Sequence, residues 1–294
     1  MCKNFKLHFI LGIIFFVGAT LLSLGAFSQQ PTVSGVIIDR DSQTPIPFAN
    51  VAIRDKFIGT VTDSLGYFAI ESNLISVSDS LIISRLGYKS LMLRTGDLKS
   101  ENNVFLLQQT ALNMDEFTVT SESIDRKLIL GSNKLKSQFA FAFNPSKSRA
   151  SENFGREVAI LVDLKNKPAI LQNVNFVLGT NQIENLVLRV NIYRAINGGD
   201  EQPGDRIFEK IVILKNKSEG LVKASFLNNE IVISDIFWVS VEFVNFRDEN
   251  ELGIITLPVR FPFGKMFTRE SSLGEWKEIK GTPSIQVEME SLSR

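Results

Sequence analysis

The feature that most limits the fold is the repeated alternation of apolar and polar residues from Val33 onward. Short runs of Val, Ile, Phe and Leu are broken by Gly, Pro, Asn or Asp at intervals of about eight to twelve residues. Side chains of a strand point alternately to its two faces, so this period is typical of strands with one buried face. The pattern predicts an all-β protein built of sandwiches.

The predicted strands fall into two groups, separated by a segment rich in Ser, Lys and Asn that we interpret as a linker over 121–135. The first group comprises 33–38, 48–54, 59–62, 67–71, 81–84, 90–93 and 104–107. The second comprises 158–164, 169–178, 186–194, 207–214, 230–234, 237–246, 253–257 and 284–290. The alternating Phe residues at 139–143 predict an additional strand at the start of the second group. The spacing therefore predicts two successive sandwiches.

The N-terminus has the features of a targeting segment. Lys3 and Lys6 precede an apolar run over 9–27, and small residues at Ala26 and Ser28 offer a cleavage point. We interpret 1–28 as a signal peptide and expect an exported protein, periplasmic or associated with the outer membrane or cell surface. A retained inner-membrane anchor is the alternative, because the run is just long enough to span a bilayer.

The composition excludes several kinds of chemistry. Cys2 and His8 are the only Cys and His, and both would leave with the signal peptide. Without them the chain lacks the residues of a Ser-His-Asp triad, a Cys nucleophile or a zinc site, so we predict no enzyme, no cofactor and no metal. Lys plus Arg equals Asp plus Glu at 32 each, which gives no basic face for nucleic acid. A glycosidase needs only two carboxylates, so the composition does not exclude this class of enzyme. For the carboxylate of Glu242 we expect a position at a sheet edge or in solvent.

Residues 33–71 contain the ordered motifs G-V-x-x-D, P-x-P-x-A-N-V and G-T-x-T-D-x-x-G-x-F, and S-x-x-G-Y follows within 79–90. Over 31–120 the chain resembles the carboxypeptidase regulatory-like domain family. The resemblance implies a seven-stranded, transthyretin-like sandwich and no peptidase activity. Asp63 and Gly66 fit a hairpin turn, in which the carboxylate accepts amide hydrogen bonds and glycine takes a positive φ.

The remaining residues, 136–294, are similar to a jelly-roll-like domain found behind this module in exported Bacteroidetes proteins. The residues that carry the likeness are Leu188–Tyr193, Gln202–Asp205 and Phe237–Glu242. The module also precedes the plug of TonB-dependent transporters. We expect no transmembrane barrel here, because the residues after Thr120 are too few for about 22 strands of about ten residues each.

Two tryptophans are the candidate ligand-stacking residues. Trp238 alternates with the apolar residues of its strand, and Trp276 lies in a turn-rich segment. An exposed indole can stack on a sugar ring. The alternative is that Trp238 packs between the sheets and Trp276 stabilises a hairpin. We therefore expect a non-enzymatic envelope protein that acts as a structural or protein-interaction module, with envelope proteins or glycans as partners. A carbohydrate-binding accessory protein of a glycan-uptake system is the alternative.

We expect the exported protein to begin at Gln29 and to contain no thiol, because Cys2 leaves with the signal peptide. Intact-mass measurement and thiol titration of the protein recovered from the producing cell check this. A Ser28→Trp variant is the control, since a bulky residue at the cleavage point should block processing. A full-length mass with one titratable thiol in the membrane fraction would instead establish a retained anchor.

Overall fold

The computed structural model describes residues 32–71, 73–99, 102–110, 124–134, 137–143, 153–196, 202–216, 218–227, 229, 231–245 and 253–292. The predicted signal peptide, 1–28, lies outside these residues. Thr32–Arg294 forms one compact unit. The described part of the chain is built of strands and contains no helix able to cross a membrane.

The N-terminal sandwich consists of seven strands in two sheets. The strands are β1 (Thr32–Asp39), β2 (Asn50–Ile53), β3 (Ile58–Val61), β4 (Tyr67–Glu71), β5 (Ser80–Ser84), β6 (Leu91–Arg94) and β7 (Asn103–Leu107). One sheet has the order β4-β1-β7 and the other β3-β2-β5-β6. All pairs are antiparallel except β1 and β7. Each strand predicted from the first half of the sequence is confirmed.

The core of this sandwich follows from the alternation. On β7 the side chains of Phe105 and Leu107 are buried while those of Val104 and Leu106 are exposed. Gly35 on β1 allows β7 to approach closely, because a Cβ there would lie 2.5 Å from the carbonyl oxygen of Asn103. The inner faces of the two sheets close over one apolar cluster, to which Ile37, Ile46, Val51, Ile53, Phe68, Leu81 and Ile83 also contribute.

The C-terminal sandwich contains the remaining strands. They are β8 (Ile124–Gly131), β9 (Phe139–Ala142), β10 (Glu157–Val162), β11 (Ala169–Leu178), β12 (Thr180–Asn181), β13 (Leu186–Ala195), β14 (Pro203–Leu214), β15 (Gly220–Ser225), β16 (Val232–Ile233), β17 (Phe237–Asn245), β18 (Ile255–Arg269), β19 (Lys277–Pro283) and β20 (Ile285–Leu292).

These strands form an eight-stranded and a five-stranded sheet. The larger has the order β12-β18-β10-β17-β13-β14, with β9 and β19 also paired to β18. The smaller has the order β15-β11-β20-β8, with β16 paired to β11. The second, larger apolar cluster includes residues from both, such as Phe176 and Val287 from the smaller sheet and Val190, Val241 and Phe243 from the larger. The predicted all-β class, with one sandwich following another, is confirmed.

The structure differs from the sequence prediction at several strands. Strand β8 occupies part of the predicted linker, 121–135, and pairs with β20, so the smaller sheet begins earlier than we predicted. Strands β15 and β19 were not predicted, because Lys and Glu interrupt their apolar positions. Strand β18 continues to Arg269 rather than ending at 257, although Pro258, Pro262 and Gly264 suggest that it stops.

We expect Leu81→Ala to lower the free energy of unfolding by about 2–5 kcal/mol, because its side chain is fully buried and the substitution leaves a cavity. Urea denaturation followed by circular dichroism measures this. The matched control is Val104→Thr on the exposed face of β7, which should change the free energy by about 0.5 kcal/mol or less. Equal effects of the two substitutions would contradict the assignment of the core.

Candidate functional site

The outward face of the eight-stranded sheet carries polar side chains that are nevertheless buried. On β17, Val239 and Val241 point into the core, whereas Ser240 and Glu242 point the opposite way. Three of their four cross-strand partners on the same face are also buried and polar or charged: Glu157 on β10 and Arg189 and Asn191 on β13. A buried polar face requires a cover that supplies hydrogen bonds, and the N-terminal sandwich is part of that cover.

Arg189 and Glu242 form the central ion pair of this face, and both side chains have 0% exposure. The Arg189 guanidinium donates through Nε to Oε2 of Glu242 at 2.9 Å and through Nη2 to Oε1 at 2.8 Å. Its Nη1 donates to the backbone oxygen of Phe48 at 2.7 Å. This two-point geometry fixes the orientation of the guanidinium, and its remaining donor reaches the N-terminal sandwich.

Asn50, the first residue of β2, connects the N-terminal sandwich to the same ion pair. Its Oδ1 accepts hydrogen bonds from Arg189 Nη2 and Arg206 Nη2, both at 2.9 Å. Its Nδ2 donates to Oε1 of Glu242 at 3.2 Å and to Oγ of Ser272 at 2.7 Å. One amide therefore contacts both charges of the pair and the segment that joins β18 to β19.

Glu157 is the second buried carboxylate of the face. Its Oε1 accepts from Asn191 Nδ2 at 2.7 Å, from the Tyr193 hydroxyl at 2.9 Å and from the Ser240 hydroxyl. The Arg269 guanidinium pairs with its other oxygen. The same Asn191 nitrogen donates to Oε2 of Glu242 at 2.8 Å, so a single amide bridges the two carboxylates.

A second ion pair joins the sandwiches at the margin of this face. Arg85, which follows β5, pairs with Glu209 on β14. Glu209 also lies 3.5 Å from Arg189 Nη1 and 3.4 Å from Arg206 Nη1. We call the whole group the interface network; its charged members are Arg85, Arg189, Arg206, Arg269, Glu157, Glu209 and Glu242.

The excess of arginines sets the electrostatics of the interface network. Burial by itself would raise the pKa of Glu242, but the charges of Arg189, Arg269 and Arg206 outweigh burial and lower this pKa to about 2. Burial, followed by repulsion from Arg189, lowers the pKa of Arg206 to about 10. Glu242 is therefore ionised at neutral pH.

The arrangement joins two sandwiches and does not resemble a hydrolytic centre. A glycosidase needs its two carboxylates on either side of a bond in an accessible cleft. Glu157 and Glu242 are cross-strand neighbours, both have 0% exposure, and guanidinium and amide groups occupy their oxygens. The expectation that Glu242 lies at an edge or in solvent is wrong: its strand lies inside the sheet and the N-terminal sandwich covers its side chain.

The two tryptophans differ in their exposure to solvent. Trp238 is 1% exposed and packs edge-on against Phe267, with ring centroids 4.7 Å apart. This indole is a packing group and has no ring face free for a sugar, so its interpretation as a stacking residue fails. Trp276 is partly exposed. The guanidinium of Arg269 lies 4.7 Å from its ring centroid, and its ring meets Tyr193 edge-on at 5.8 Å.

The predicted hairpin turn has the expected hydrogen bonds. Asp63 Oδ1 accepts from the backbone nitrogens of Leu65 and Tyr67 at 2.8 and 2.9 Å, and Gly66 has a φ of 74°. The carboxylate is thus engaged by the turn itself. Across the residues that the structure describes, no three His, Cys, Asp or Glu side chains group as metal ligands.

An exposed apolar row crosses the outer face of the three-stranded sheet. Val36 on β1 pairs with Tyr67 on β4 and with Val104 on β7. Ile38 and Leu106 form the next row. Val104 is 63% exposed, and Tyr67 and Leu106 are also exposed. We call these five residues the outer apolar face; contiguous patches of this kind mark interaction sites.

Comparison with known proteins relates the first sandwich to one family. Residues 33–119 match the CarboxypepD_reg-like domain family. The TonB-dependent receptor SusC of Bacteroides thetaiotaomicron is 30% identical over 107 residues, which is 36% of this chain and 10% of that receptor. The chain therefore spans only a small part of this relative's length.

Two solved structures align over most of the chain, with low similarity. One is from a study of the promiscuous specificity of carbohydrate-binding modules of the β-sandwich superfamily; it has a TM-score of 0.24 and 8% identity and covers 85% of this chain and 99% of that one. The other, from the Gt strain of infectious bursal disease virus, has a TM-score of 0.17 and 13% identity and covers 83% and 64%. TM-scores this low do not define a shared fold.

We expect Glu242→Gln to lower the free energy of unfolding by about 3–5 kcal/mol, because the buried guanidinium of Arg189 loses its two-point carboxylate partner and keeps only the more distant Glu209. Urea denaturation at neutral pH measures the loss. The control is Glu278→Gln, which removes an exposed ion pair with Lys265 and should cost about 1 kcal/mol or less. Similar losses in both variants would show that the interface network does not join the sandwiches as described.

The same carboxylate should make stability depend on pH. Its pKa is about 2 in the folded protein and about 4.3 when unfolded, so the unfolded state binds the proton first as pH falls. The stabilisation is complete above about pH 5 and is lost progressively toward pH 2. Denaturation midpoints measured from neutral to acid pH should therefore fall more steeply for the unmodified protein than for Glu242→Gln. Parallel curves would contradict the lowered pKa.

Proposed function

We propose, from the premise that residues 33–119 form a CarboxypepD_reg-like domain, that this chain is a non-catalytic binding protein of the cell envelope. In it, the regulatory-like sandwich presents an interaction surface and the C-terminal sandwich holds that surface in one orientation. The observation that carries the proposal is the interface network, in which Arg189 and Glu242 join Phe48 and Asn50 through buried hydrogen bonds.

The interface network supports a binding role in two ways. Its buried carboxylates Glu242 and Glu157 are already paired with arginines, and Glu242 also accepts a hydrogen bond from Asn50 of the N-terminal sandwich. A guanidinium held by a carboxylate and by acceptors from another module also restricts relative movement, because each donor has a defined direction. A fixed orientation lowers the entropy lost when a partner binds, which favours affinity.

The outer apolar face is the surface that we assign to the partner. It lies on the three-stranded sheet. Phe48, Asn50 and Arg85, which contact the C-terminal sandwich, instead lie in or next to β2 and β5 of the other sheet. Its apolar side chains would be removed from water by a second protein. We propose an envelope protein as this partner.

The cellular location of the proposed function follows from the targeting segment. Lys3, Lys6 and the apolar run over 9–27 favour export, and the similarity to a TonB-dependent receptor of Bacteroides favours an envelope context. We propose that the protein is periplasmic or associated with the outer membrane or cell surface, with an inner-membrane anchor as the alternative. The predicted division into two sandwiches is part of this proposal, with the second beginning at β8 (Ile124–Gly131) rather than at residue 136.

Carbohydrate binding is the alternative function, and Trp276 is the candidate residue left for it. The ring is partly exposed, but Arg269 and Tyr193 contact it. A glycan array would favour this alternative if the protein bound and Trp276→Ala lost the binding. The control is Trp238→Phe, which alters a buried ring and should leave a glycan site intact.

A photo-crosslinking amino acid placed at Val104 in the living cell tests the proposed interaction surface. We expect an adduct with an envelope protein from position 104, because this side chain projects from the outer apolar face. The matched control is position 221 on β15, which is also exposed but belongs to the other sandwich. Adducts at neither position, or equally at both, would overturn the assignment of this face.

An activity assay tests the claim that the protein is not catalytic. We expect no glycoside or peptide hydrolysis by the purified protein that responds to Glu157→Gln or Glu242→Gln. Hydrolysis that disappeared in either variant, while the variant kept its circular dichroism spectrum at the assay temperature, would show that a network carboxylate is catalytic and would overturn the proposal.

A further inference from the structure

The long strand β18 contains an exposed bulge that the proposed function does not use. Arg260 pairs with Thr282 and Lys265 pairs with Lys280, so residues 261–264 stand opposite Gly281 alone. These four residues are Phe, Pro, Phe and Gly, and all are exposed. We call them the Phe-Pro-Phe-Gly bulge. Bulges commonly redirect side chains away from the regular ladder.

Specific contacts hold this bulge in place. The hydroxyl of Thr282 donates to the backbone oxygen of Phe263 at 2.7 Å. Gly264 has a φ of 89°, and a Cβ at this position would lie 2.2 Å from the same hydroxyl. The neighbouring ladder is fixed by Ser137, whose hydroxyl donates to the backbone oxygen of Val259 at 2.5 Å. These contacts therefore fix the backbone that carries Phe261 and Phe263.

Three exposed phenylalanine rings lie in the bulge or on the neighbouring strand. Phe139 on β9 lies opposite Val259, next to the bulge, and its ring centroid is 5.1 Å from that of Phe261. Phe139 is 52% exposed, Phe261 47% and Phe263 66%. Exposing large apolar rings at neighbouring positions is unfavourable in water, so a partner that removes them from water would bind there.

Basic residues surround these rings. Arg260 and Lys265 flank the bulge in sequence, Lys280 is the cross-strand partner of Lys265, and all three are exposed. The acidic residue in contact with this group is Glu278, which lies 3.0 Å from Lys265 Nζ. These three cations and one anion give the surface beside the Phe-Pro-Phe-Gly bulge a net positive charge.

We infer that the Phe-Pro-Phe-Gly bulge, with Phe139, docks onto the surface of a bilayer that contains anionic phospholipids. Phenylalanine has no polar edge, so its ring can enter the boundary between headgroups and acyl chains without leaving a hydrogen-bonding group unsatisfied. The cations around the rings would remain at the level of the phosphates, where each one strengthens attachment. Rings that lack hydrogen-bonding groups fit a lipid surface better than a sugar, which requires polar partners for its hydroxyls.

Vesicle co-sedimentation of the chain from Gln29 onward, which keeps the compact unit Thr32–Arg294, tests this inference. We expect the protein to sediment with vesicles of phosphatidylcholine and phosphatidylglycerol. Phe263→Ala should weaken the partition about tenfold, because one ring no longer leaves water. Lys265→Gln should weaken it about fivefold at low salt and less at high salt. Leu221→Ala, an exposed apolar residue on the other sheet, is the matched control and should not change it.

Two results would overturn the inference. One is the absence of sedimentation with the anionic vesicles at low salt, which would assign the rings to a different partner, such as an acidic protein. The other is an equal loss in Phe263→Ala and Leu221→Ala, which would indicate general stickiness. Because the crosslinking test at position 104 probes the other sandwich, failure of either proposal leaves the other standing.

Discussion

The structure depends on the buried pair of Arg189 and Glu242. Taking two charges out of water costs several kcal/mol for each ion, and attraction between them offsets this only when their remaining donors and acceptors are also satisfied. Glu242 obtains these partners from Asn191 on its own sheet and from Asn50 on the N-terminal sandwich. The outer face of the eight-stranded sheet is therefore complete only when the first sandwich covers it.

The contact between the sandwiches combines this polar centre with apolar residues, since Val61 and Phe48 of the first sandwich pack with the apolar cluster of the second. Replacing a buried ion pair with apolar residues often leaves stability unchanged or improves it, so such a pair is poor evidence for added strength. The pair instead fixes the relative orientation of the sandwiches. Arg189 donates to Glu242, Phe48 and Asn50, and rotation of one sandwich would leave at least one of these hydrogen bonds unmade. The interface network thus selects one arrangement of two modules that could otherwise pack in several ways.

The N-terminal sandwich could be predicted closely from the sequence, and the interface network could not. Strands β1 to β7 are short, alternate cleanly and end at turn residues such as Gly66, so local pattern determines them. Alternation correctly places Val241 and Glu242 on opposite faces of β17. It does not show what covers the face of Glu242, so we expected this side chain in solvent. The interpretation of Trp238 as a stacking residue failed for the same reason, because alternation does not show whether its face of β17 is covered. The one available signal was the polar register Arg-x-Asn-x-Tyr on β13 facing Ser-x-Glu on β17, and that pairing is known only once the sheet is assembled.

The pairing of β8 with β20 affects how the chain can be made. Strand β20 lies between β11 and β8, so the first strand of the C-terminal sandwich has no neighbour until the residues around 285–292 have been synthesised. Contacts between such distant positions form slowly, because a long loop must close first. A ribosome that stalls before residue 285 would release a product with the inner edges of β8 and β11 bare, ready to pair with other chains. Quality-control proteases and holding chaperones are therefore expected to recognise late-truncated fragments of this protein far more readily than the finished one.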